Sequence, residues 1–248
     1  MIRDLHRQRG RERRGLALAE GVRLVEEVLA AGIECRAVVV SPALLGTERG
    51  RALKGALEAA GPVTETTDEE LTELAATEHP QGVVAVVVPK AWTLDDIAIG
   101  TSGVVVVLDA LQDPGNVGTI VRTALALGAK GVVTLPGTAE IENPKTMRSA
   151  MGATFRLPTV RADETVLLEW LAHHRVIVAA TAMDGQPFDR TRLAGPLAFV
   201  FGNEGAGLQS ALGRNAKVTV AIPLETGAES LNVAVAAGIF LYEACRDR

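Results

Sequence analysis

The sequence has 248 residues, of which 48% are hydrophobic and 22% charged, with a formal net charge of −5. This length and composition predict a globular protein with one large or two small domains, and no apolar run reaches the ~18–20 residues of a membrane span. The basic start has no apolar segment behind it, so a secretory signal is not expected. Cys35 and Cys245 lie far apart without metal-ligand spacing, which predicts two reduced thiols in a cytoplasmic protein.

Residues 1–14 form a basic arm on this acidic chain. They contain six arginines against the two carboxylates Asp4 and Glu12. A local excess of positive charge suits a phosphate-bearing partner. A solvated, frayed terminus would give the same pattern.

The first 89 residues alternate helical and strand-like patterns, with Gly and Pro between the segments. Helices are predicted over residues 16–31, 48–60 and 67–76, and strands over 35–41 and 82–88. The pattern predicts a small α/β domain over residues 1–89. Residues 90–102, which follow Pro89, are the best candidate for a linker.

From residue 103 onward, strands and helices alternate regularly. Predicted strands cover residues 104–109, 131–135, 156–160, 176–180, 197–201 and 218–222. Predicted helices cover residues 119–127, 146–152, 164–173 and 231–244. This alternation predicts a doubly wound parallel sheet over residues 103–248, with ligands at the carboxyl ends of its strands.

The last predicted helix, residues 231–244, is apolar on nearly every face and rich in Ala and Gly. Such a helix is buried and closely packed. Ser230 or Glu229 is expected at its N-terminus, where side-chain oxygens cap free N–H groups.

Several common enzyme motifs are absent from the sequence. There is no G-x-G-x-x-G dinucleotide fingerprint, no phosphate-binding G-x-x-x-x-G-K-[ST] loop and no G-x-S-x-G nucleophile turn. The four histidines have no metal-ligand spacing. These absences disfavour a nucleoside triphosphatase, a serine hydrolase and a dinucleotide oxidoreductase, and they predict no metal site.

Three other motifs follow predicted buried strands. They are N-x-G-x-x-x-R at 116–122, F-G-N-E-G-x-G-L at 201–208 and I-P-L…E-S-L-N-V-x-V-A at 222–236. Together they resemble the SpoU (TrmH-type) family of RNA ribose 2′-O-methyltransferases in the SPOUT superfamily, over residues 103–248. Residues 1–89 resemble the small α/β RNA-binding domain of many members, which is similar to kink-turn-binding ribosomal proteins. Residues 13–27 and 80–82 carry this second resemblance.

The resemblance implies a trefoil knot in the C-terminal domain, S-adenosylmethionine bound in a bent form, and a homodimer formed around the knot. The apolar last helix fits such a dimer. The residues expected to hold the cofactor are Thr181, Ala182, Met183, Phe201, Gly202, Asn203, Gly205, Ile222, Leu224 and Leu231.

The resemblance also implies catalytic roles for Asn116, Arg122, Glu204, Ser230 and Asn232. A guanidinium does not lose its proton in proteins, so Arg122 is expected to grip an RNA phosphate and stabilise the developing alkoxide. The other four would orient Arg122, the phosphate and the hydroxyl, although Glu204 would serve equally to cap its turn. Asp109 and Asp113 are interpreted as structural residues.

The expected activity is S-adenosylmethionine-dependent ribose 2′-O-methylation of structured RNA, with 23S ribosomal RNA as substrate. The alternatives are a tRNA methyltransferase, an antibiotic-resistance rRNA methyltransferase, or a catalytically silent RNA-binding protein of ribosome assembly. The residues expected to contact RNA are Arg7, Arg9, Arg11, Arg13, Arg14, Lys145 and Arg148.

Overall fold

The computed structural model describes residues 1–189, 193–203, 205–225 and 230–246. The chain forms two compact units. The N-terminal unit comprises residues 1–90 and 140–156, and the C-terminal unit comprises residues 91–139 and 157–248. These units are defined by which residues pack together in space. The predicted domain limits, 1–89 and 103–248, were defined by the sequence pattern and stay predictions.

The helices and strands alternate along most of the chain. The described helices are α1 (Ile2–Leu5), α2 (Gln8–Arg14), α3 (Val22–Ala30), α4 (Glu48–Ala60), α5 (Asp68–Leu74), α6 (Pro114–Ala126), α7 (Pro144–Ala150), α8 (Glu164–His173), α9 (Ala211–Arg214) and α10 (Val233–Cys245). The described strands are β1 (Ala17–Glu20), β2 (Cys35–Val40), β3 (Thr64–Glu65), β4 (Val83–Val87), β5 (Val104–Leu108), β6 (Gly131–Thr134), β7 (Thr159–Arg161), β8 (Ile177–Pro187), β9 (Leu197–Phe201) and β10 (Val218–Ala221).

In the N-terminal unit, a four-stranded sheet has the order β1-β4-β2-β3. Strand β4 pairs antiparallel with both β1 and β2, and β3 pairs parallel with β2. All five residues of β4 are buried, as the apolar run predicts for a central strand. Segment 140–156 belongs to this unit because Met147 and Phe155 pack in the same hydrophobic cluster as β4.

The helix predicted over residues 16–31 is wrong in its first part. Residues 17–20 are strand β1, which pairs with β4 and has all four residues buried, and α3 begins at Val22. Gly21 separates the two elements with a φ of 94°, a left-handed conformation that favours glycine. Pairing with a distant strand therefore overrides the helical spacing of the local sequence.

A frayed N-terminus is also wrong. Ile2 and Leu5 of α1 are buried in a cluster with Leu18 of β1 and Leu71 of α5. The apolar residues between the arginines attach the arm to the sheet.

In the C-terminal unit, a six-stranded sheet has the order β10-β8-β9-β5-β6-β7, and each neighbouring pair is parallel. The predicted fold class, a parallel α/β sheet preceded by a small α/β domain, is confirmed. Strand β5 is central and wholly buried, as its β-branched run predicts. The trefoil threading of the chain concerns the path of the loops and not the strand order, and it stays a prediction.

Helix α6 begins at Pro114, five residues before the predicted start at residue 119. The Asp113 carboxylate caps the helix by accepting from the Asn116 N–H at 3.0 Å. Asp113 is therefore structural, as predicted. Asn116 lies in the first turn of a helix, where the sequence predicted a loop.

None of the helices in the described ranges is long and apolar enough to cross a membrane.

Candidate functional site

A cavity of about 880 Å³ lies in the C-terminal unit, where strands β9 and β10 end. We call it the strand-end cavity. All ten residues predicted to hold a cofactor line it, together with the predicted catalytic residues Ser230 and Asn232. The structure therefore brings together two of the three sequence motifs and the stretch 181–183.

Strand β8 contributes to the cavity through an irregularity. Ala180 pairs with Thr219 of β10, and the next pairing joins Gln186 to Val220, so residues 181–185 bulge out between them. The sequence predicted that this strand ends at residue 180 and that a loop follows. The bulge gives the same result, since it removes Thr181 and Met183 from the ladder and lets them line the cavity.

The turn after β9 is held by its own backbone. Asn203 and Gly207 exchange two N–H···O=C bonds of 2.9 Å. Gly202 is needed here because a Cβ at this position would lie 2.5 Å from the Gly207 carbonyl carbon. At this turn, glycine allows a close approach of two backbone segments.

The Asn203 side chain is used within the protein. Its Oδ1 accepts from the N–H groups of Gly205 and Ala206 at 2.9 and 3.0 Å, and its Nδ2 donates to the Ala110 carbonyl at 3.1 Å. Ala110 follows β5 and has a φ of 56°, which is rare for a residue other than glycine. Asn203 thus ties the turn after β9 to the turn after β5.

Asp109 holds the segment that follows this turn, residues 209 and 210. It is buried, and its Oδ2 accepts from the Gln209 N–H, the Ser210 N–H and the Ser210 Oγ at 2.7, 2.7 and 2.8 Å. Three donors offset the cost of burying a carboxylate. The interpretation of Asp109 as structural is confirmed.

Asn116 and Asn232 meet at the ends of two packed helices. Asn232 caps α10, since its Oδ1 accepts from the N–H groups of Ala234 and Val235 at 2.9 and 3.3 Å. Its Nδ2 donates to Asn116 Oδ1 at 3.1 Å. The cap is therefore Asn232 and not Ser230, while Glu229 and Glu204 lie outside the described residues.

Arg122 lies on the exposed side of α6 and is not part of the cavity lining. Within the described ranges it has no hydrogen-bond or ion-pair partner, so its guanidinium is available to an anionic ligand. Its contribution to the strand-end cavity stays a prediction.

Part of α10 forms a wall of the cavity that the sequence motifs do not indicate. Ala236 and Phe240 line it, and Phe240 packs on Phe199 and Phe201 of β9 with ring centroids 5.3 and 6.0 Å apart. Ala236 and Phe240 are four positions apart, so the sequence predicts that they share one face of the helix. Because every face of this helix is apolar, the sequence does not show which face lines the cavity.

The predicted RNA contacts differ in their surroundings. Arg11 is the one that the structure contradicts, because it is buried. It donates to the carbonyls of Leu5 and His6 at 2.9 and 3.0 Å and pairs with Glu140, so it holds the arm together and is not exposed to RNA.

The other predicted RNA contacts are at least partly accessible. Arg13 and Arg14 both pair with Asp4 at 2.7 Å, and Arg148 pairs with Glu20 at 3.3 Å. Arg7, Arg9 and Lys145 are exposed. The cations of the arm are therefore partly neutralised by carboxylates of the same unit.

The chemistry of the strand-end cavity suits a small organic molecule. Its lining is dominated by apolar side chains and glycine backbone, with a few polar groups such as Thr181 and Ser230. A volume of about 880 Å³ is within the range of roughly 300–1,000 Å³ typical of ligand sites. Among the described residues, no cluster of His, Cys, Asp or Glu could hold a metal ion.

Comparison with known proteins agrees with both parts of this organisation. Residues 103–242 match the SpoU rRNA Methylase family, and residues 1–85 match the MRM3-like substrate binding domain. The chain belongs to the SpoU rRNA methylase family. The family resemblance predicted from the three motifs is therefore confirmed.

Two relatives in this family have named activities. The chain is 35% identical to the 23S rRNA (guanosine(2553)-2'-O)-methyltransferase RlmP of Bacillus subtilis, over 97% of this chain and 92% of the relative. It is 38% identical to the 23S rRNA (uridine(2479)-2'-O)-methyltransferase of Streptomyces viridochromogenes, over 69% of this chain and 62% of that protein.

Solved structures in the family resemble the whole chain. The SpoU methyltransferase AviRb from Streptomyces viridochromogenes, in complex with the cofactor AdoMet, has a TM-score of 0.86 and 31% identity, with 100% of this chain and 96% of that chain covered. The AdoMet-bound rRNA methyltransferase from Sinorhizobium meliloti has a TM-score of 0.83 and 33% identity, with 99% and 93% covered.

Proposed function

We propose that this chain transfers a methyl group from S-adenosylmethionine to a ribose 2′-hydroxyl of 23S ribosomal RNA. The observation that carries the proposal is the strand-end cavity, in which residues from two of the family motifs and the predicted stretch 181–183 meet. The named activities of the Bacillus and Streptomyces relatives support 23S rRNA as the target.

The protein is an RNA methyltransferase, and S-adenosylmethionine is its cofactor. When bound, this cofactor supplies a methyl group on a sulfonium sulfur, which is already a good electrophile. The residues present fit it. Leu224 and Leu231 offer accessible apolar surface to a purine ring and a thioether chain, and Ser230 offers a hydroxyl group. Thr181 donates its hydroxyl proton to the Val200 carbonyl at 2.8 Å, so its oxygen can serve a ligand as an acceptor.

Met183, Leu224 and Leu231 are large apolar residues that line the cavity and yet are exposed, with 67%, 36% and 37% of their surface accessible. Exposed apolar surface around a cavity is typical of a place where a ligand or partner binds. We propose that the adenosyl part of the cofactor covers these side chains.

The difficult part of the reaction is the nucleophile, because a ribose hydroxyl is almost un-ionised at neutral pH. We assign Arg122 a positioning and electrostatic role: its guanidinium binds the adjacent RNA phosphate and stabilises the alkoxide that develops. Its exposure and its lack of a partner in the described ranges support this role. It does not act as a base, since a guanidinium keeps its proton.

The bonded pair Asn116–Asn232 joins the start of α6, the helix that carries Arg122, to the start of α10, which lines the cavity. We propose that this bond, with Ser230 beside it, holds the phosphate-binding side of the site at a fixed distance from the methyl donor. A fixed geometry matters here because methyl transfer needs the hydroxyl oxygen in line with the methyl carbon and its leaving group.

We also propose a homodimer. On α10, Val235, Ile239 and Tyr242 are exposed by 53%, 42% and 58% and follow the i, i+4, i+7 spacing of a single helix face. An apolar face of this kind is suited to a second copy of the chain. We also propose a cytoplasmic location for the protein, in keeping with a ribosomal RNA substrate.

The test is transfer of radiolabelled methyl from S-adenosylmethionine to unmodified 23S rRNA and, separately, to tRNA, followed by alkaline hydrolysis. Label in an alkali-resistant dinucleotide of 23S rRNA is the expected result. Label in tRNA alone would contradict the 23S target and preserve the chemistry. An absence of label in both, with S-adenosylhomocysteine bound, would favour the silent binding protein.

A further inference from the structure

The N-terminal unit has a cavity of its own, of about 700 Å³, whose lining residues all belong to that unit. We call it the arginine cavity. It is formed by the start of α3, the turn at residues 43–47, the segment 77–81, and Arg148 and Met151. None of the residues assigned to the cofactor lines it.

The arginine cavity is positively charged, although the chain as a whole has a formal charge of −5. Its lining includes three arginines, Arg23, Arg49 and Arg148, against the single carboxylate of Glu20. Glu20 is buried and already satisfied: it accepts from the Ala76 N–H at 2.7 Å and pairs with Arg148. The charges of Glu20 and Arg148 thus offset each other, and Glu26, outside the lining, offsets Arg49, so Arg23 supplies the positive charge that is left at the cavity wall.

The three arginines differ in how firmly they are held. Arg49 forms an exposed pair with Glu26, and Arg148 is held by Glu20 at 3.3 Å. Arg23 is exposed and has no hydrogen-bond or ion-pair partner within the described ranges. Arg23 is therefore available to a ligand without breaking an existing bond.

The rest of the lining is mixed. Thr47, Thr77, His79 and Gln81 are polar, whereas Pro80 and Met151 are partly accessible apolar residues beside the buried Val22 and Leu44. The N-terminus of α3 does not supply the site, since the Val22 N–H is already taken by the Gln81 Oε1 at 3.0 Å. Cations beside an apolar surface are the combination that an unstacked nucleotide requires, with one group for the phosphate and another for the base.

We propose that the arginine cavity binds one unstacked nucleotide of the substrate RNA, with the base on the apolar lining and the flanking phosphates on Arg23 and Arg49. This inference rests on the proposed function, because it takes RNA as the substrate. In the basic arm, Arg11 is buried and Arg13 and Arg14 are paired with Asp4, whereas Arg7 and Arg9 are exposed and can add to the same RNA contact.

The charge half of the proposal is tested with Arg23→Ala in the full chain, by measuring the affinity for an unmodified 23S rRNA transcript over a series of salt concentrations. We expect affinity to fall about tenfold, the effect of losing one charge-assisted hydrogen bond. The slope of log affinity against log salt should decrease by about 0.7 for one lost phosphate contact. The matched control is Arg36→Ala, which removes an equal charge from an exposed residue outside the cavity lining.

The base half is tested with Met151→Ala, which removes apolar surface from the lining. We expect a severalfold loss of affinity with an unchanged salt slope, because no phosphate contact is removed. The control is Leu45→Ala, an exposed apolar residue of the same unit that does not line the cavity. Wild-type affinity in Met151→Ala would overturn the binding of a base.

The same variants separate this inference from the proposed function. Binding of S-adenosylhomocysteine should be unchanged in Arg23→Ala. Methyl transfer by the wild type with an unchanged affinity and slope in Arg23→Ala would overturn the inference and preserve the methyltransferase. A reduced slope in Arg23→Ala, with no transfer to any RNA by the wild type, would support the inference and contradict the proposed reaction.

Discussion

The two cavities of this protein are built in different ways. The strand-end cavity is lined mainly by apolar side chains and glycine backbone, whereas the arginine cavity is lined by three arginines together with polar and apolar residues. Beside the arginine cavity, the side-chain hydrogen bond to Glu26 raises the pKa of the Arg49 guanidinium above its ordinary value.

The difference reflects the two ligands that we propose. A small cofactor is recognised by shape and by a few hydrogen bonds, so its site depends on close backbone packing. A polyanion is recognised first by charge, so its site depends on cations that salt can screen. Changes in the C-terminal unit should therefore act on stability, cofactor binding or the methyl-transfer step, and changes in the N-terminal unit on RNA affinity and its dependence on salt.

The largest effect is expected for Arg122→Ala. Loss of a fixed positive charge at the reacting group should lower the rate of methyl transfer by about 10²–10³. Binding of S-adenosylhomocysteine, measured as the rise in melting temperature that this ligand causes, should be nearly unchanged. The control is Lys130→Ala, which removes a cation from an exposed residue of the same unit. Wild-type turnover in Arg122→Ala would contradict the proposed role.

Gly202→Ala tests whether the strand-end cavity depends on close backbone packing. The new Cβ would lie 2.5 Å from the Gly207 carbonyl carbon, so the turn after β9 must move. Overpacking of this kind costs about 1–3 kcal/mol. We expect a lower midpoint in urea unfolding and a loss of S-adenosylhomocysteine binding.

Gly205→Ala is the matched control for stability. Its Cβ would lie 3.7 Å from the Asn203 Oδ1, an ordinary contact, so the unfolding midpoint should stay near that of the wild type. Equal midpoints for the two variants would show that the turn after β9 has room to adjust.

Asn232 has two roles that two substitutions separate. Asn232→Ala removes the cap of α10 and should cost about 1 kcal/mol of stability. Asn232→Asp keeps an oxygen for the cap and loses the donor to Asn116, so its stability should be nearly retained while methyl transfer falls. Urea unfolding and single-turnover transfer measure the two effects, and equal transfer in Asn232→Asp and wild type would contradict the role of the Asn116–Asn232 bond.

The smallest effect is expected for Asp4→Asn in the arm. The guanidiniums of Arg14 and Arg13 hold the pKa of Asp4 below its ordinary value of 3.8. A lowered folded-state pKa contributes stability above the ordinary value, and this contribution is lost as the pH falls through the folded-state pKa. Asp4→Asn should therefore lower the melting temperature only slightly at pH 7, because exposed ion pairs contribute little, and this difference should shrink as the pH falls below 3.8. A difference that grows as the pH falls would contradict this assignment.

The regular elements with strong local signals could be predicted from the sequence. The β-branched run of β5, the bounds of α4 and α8, and the glycine-rich turn after β9 agree with the structure. Errors occurred where a distant partner decides the conformation. Residues 17–20 have helical spacing and become a strand, because β4 offers an antiparallel partner and packing on both faces of the sheet buries all four side chains.

The candidate site shows the same limit. The family motifs predicted which residues surround the strand-end cavity, since parallel strands end at one edge of a sheet. They did not predict that Asn232 caps α10 and bonds Asn116, which lies 116 positions away. Nor did they show that Phe240 closes the cavity, because every face of α10 is apolar and packing alone selects one.

The amino-acid pattern alone established a parallel α/β fold, membership in a methyltransferase family and most of the strand-end cavity, because these depend on local periodicity and on short motifs. The tertiary structure decided which arginines are accessible. Arg11 and Arg23 are both arginines on helices of the N-terminal unit. Arg11 is buried and bonded to two backbone carbonyls and Glu140, whereas Arg23 is exposed and lines a cavity. Burial and ion pairing depend on residues far away in the chain, so no local pattern separates the two.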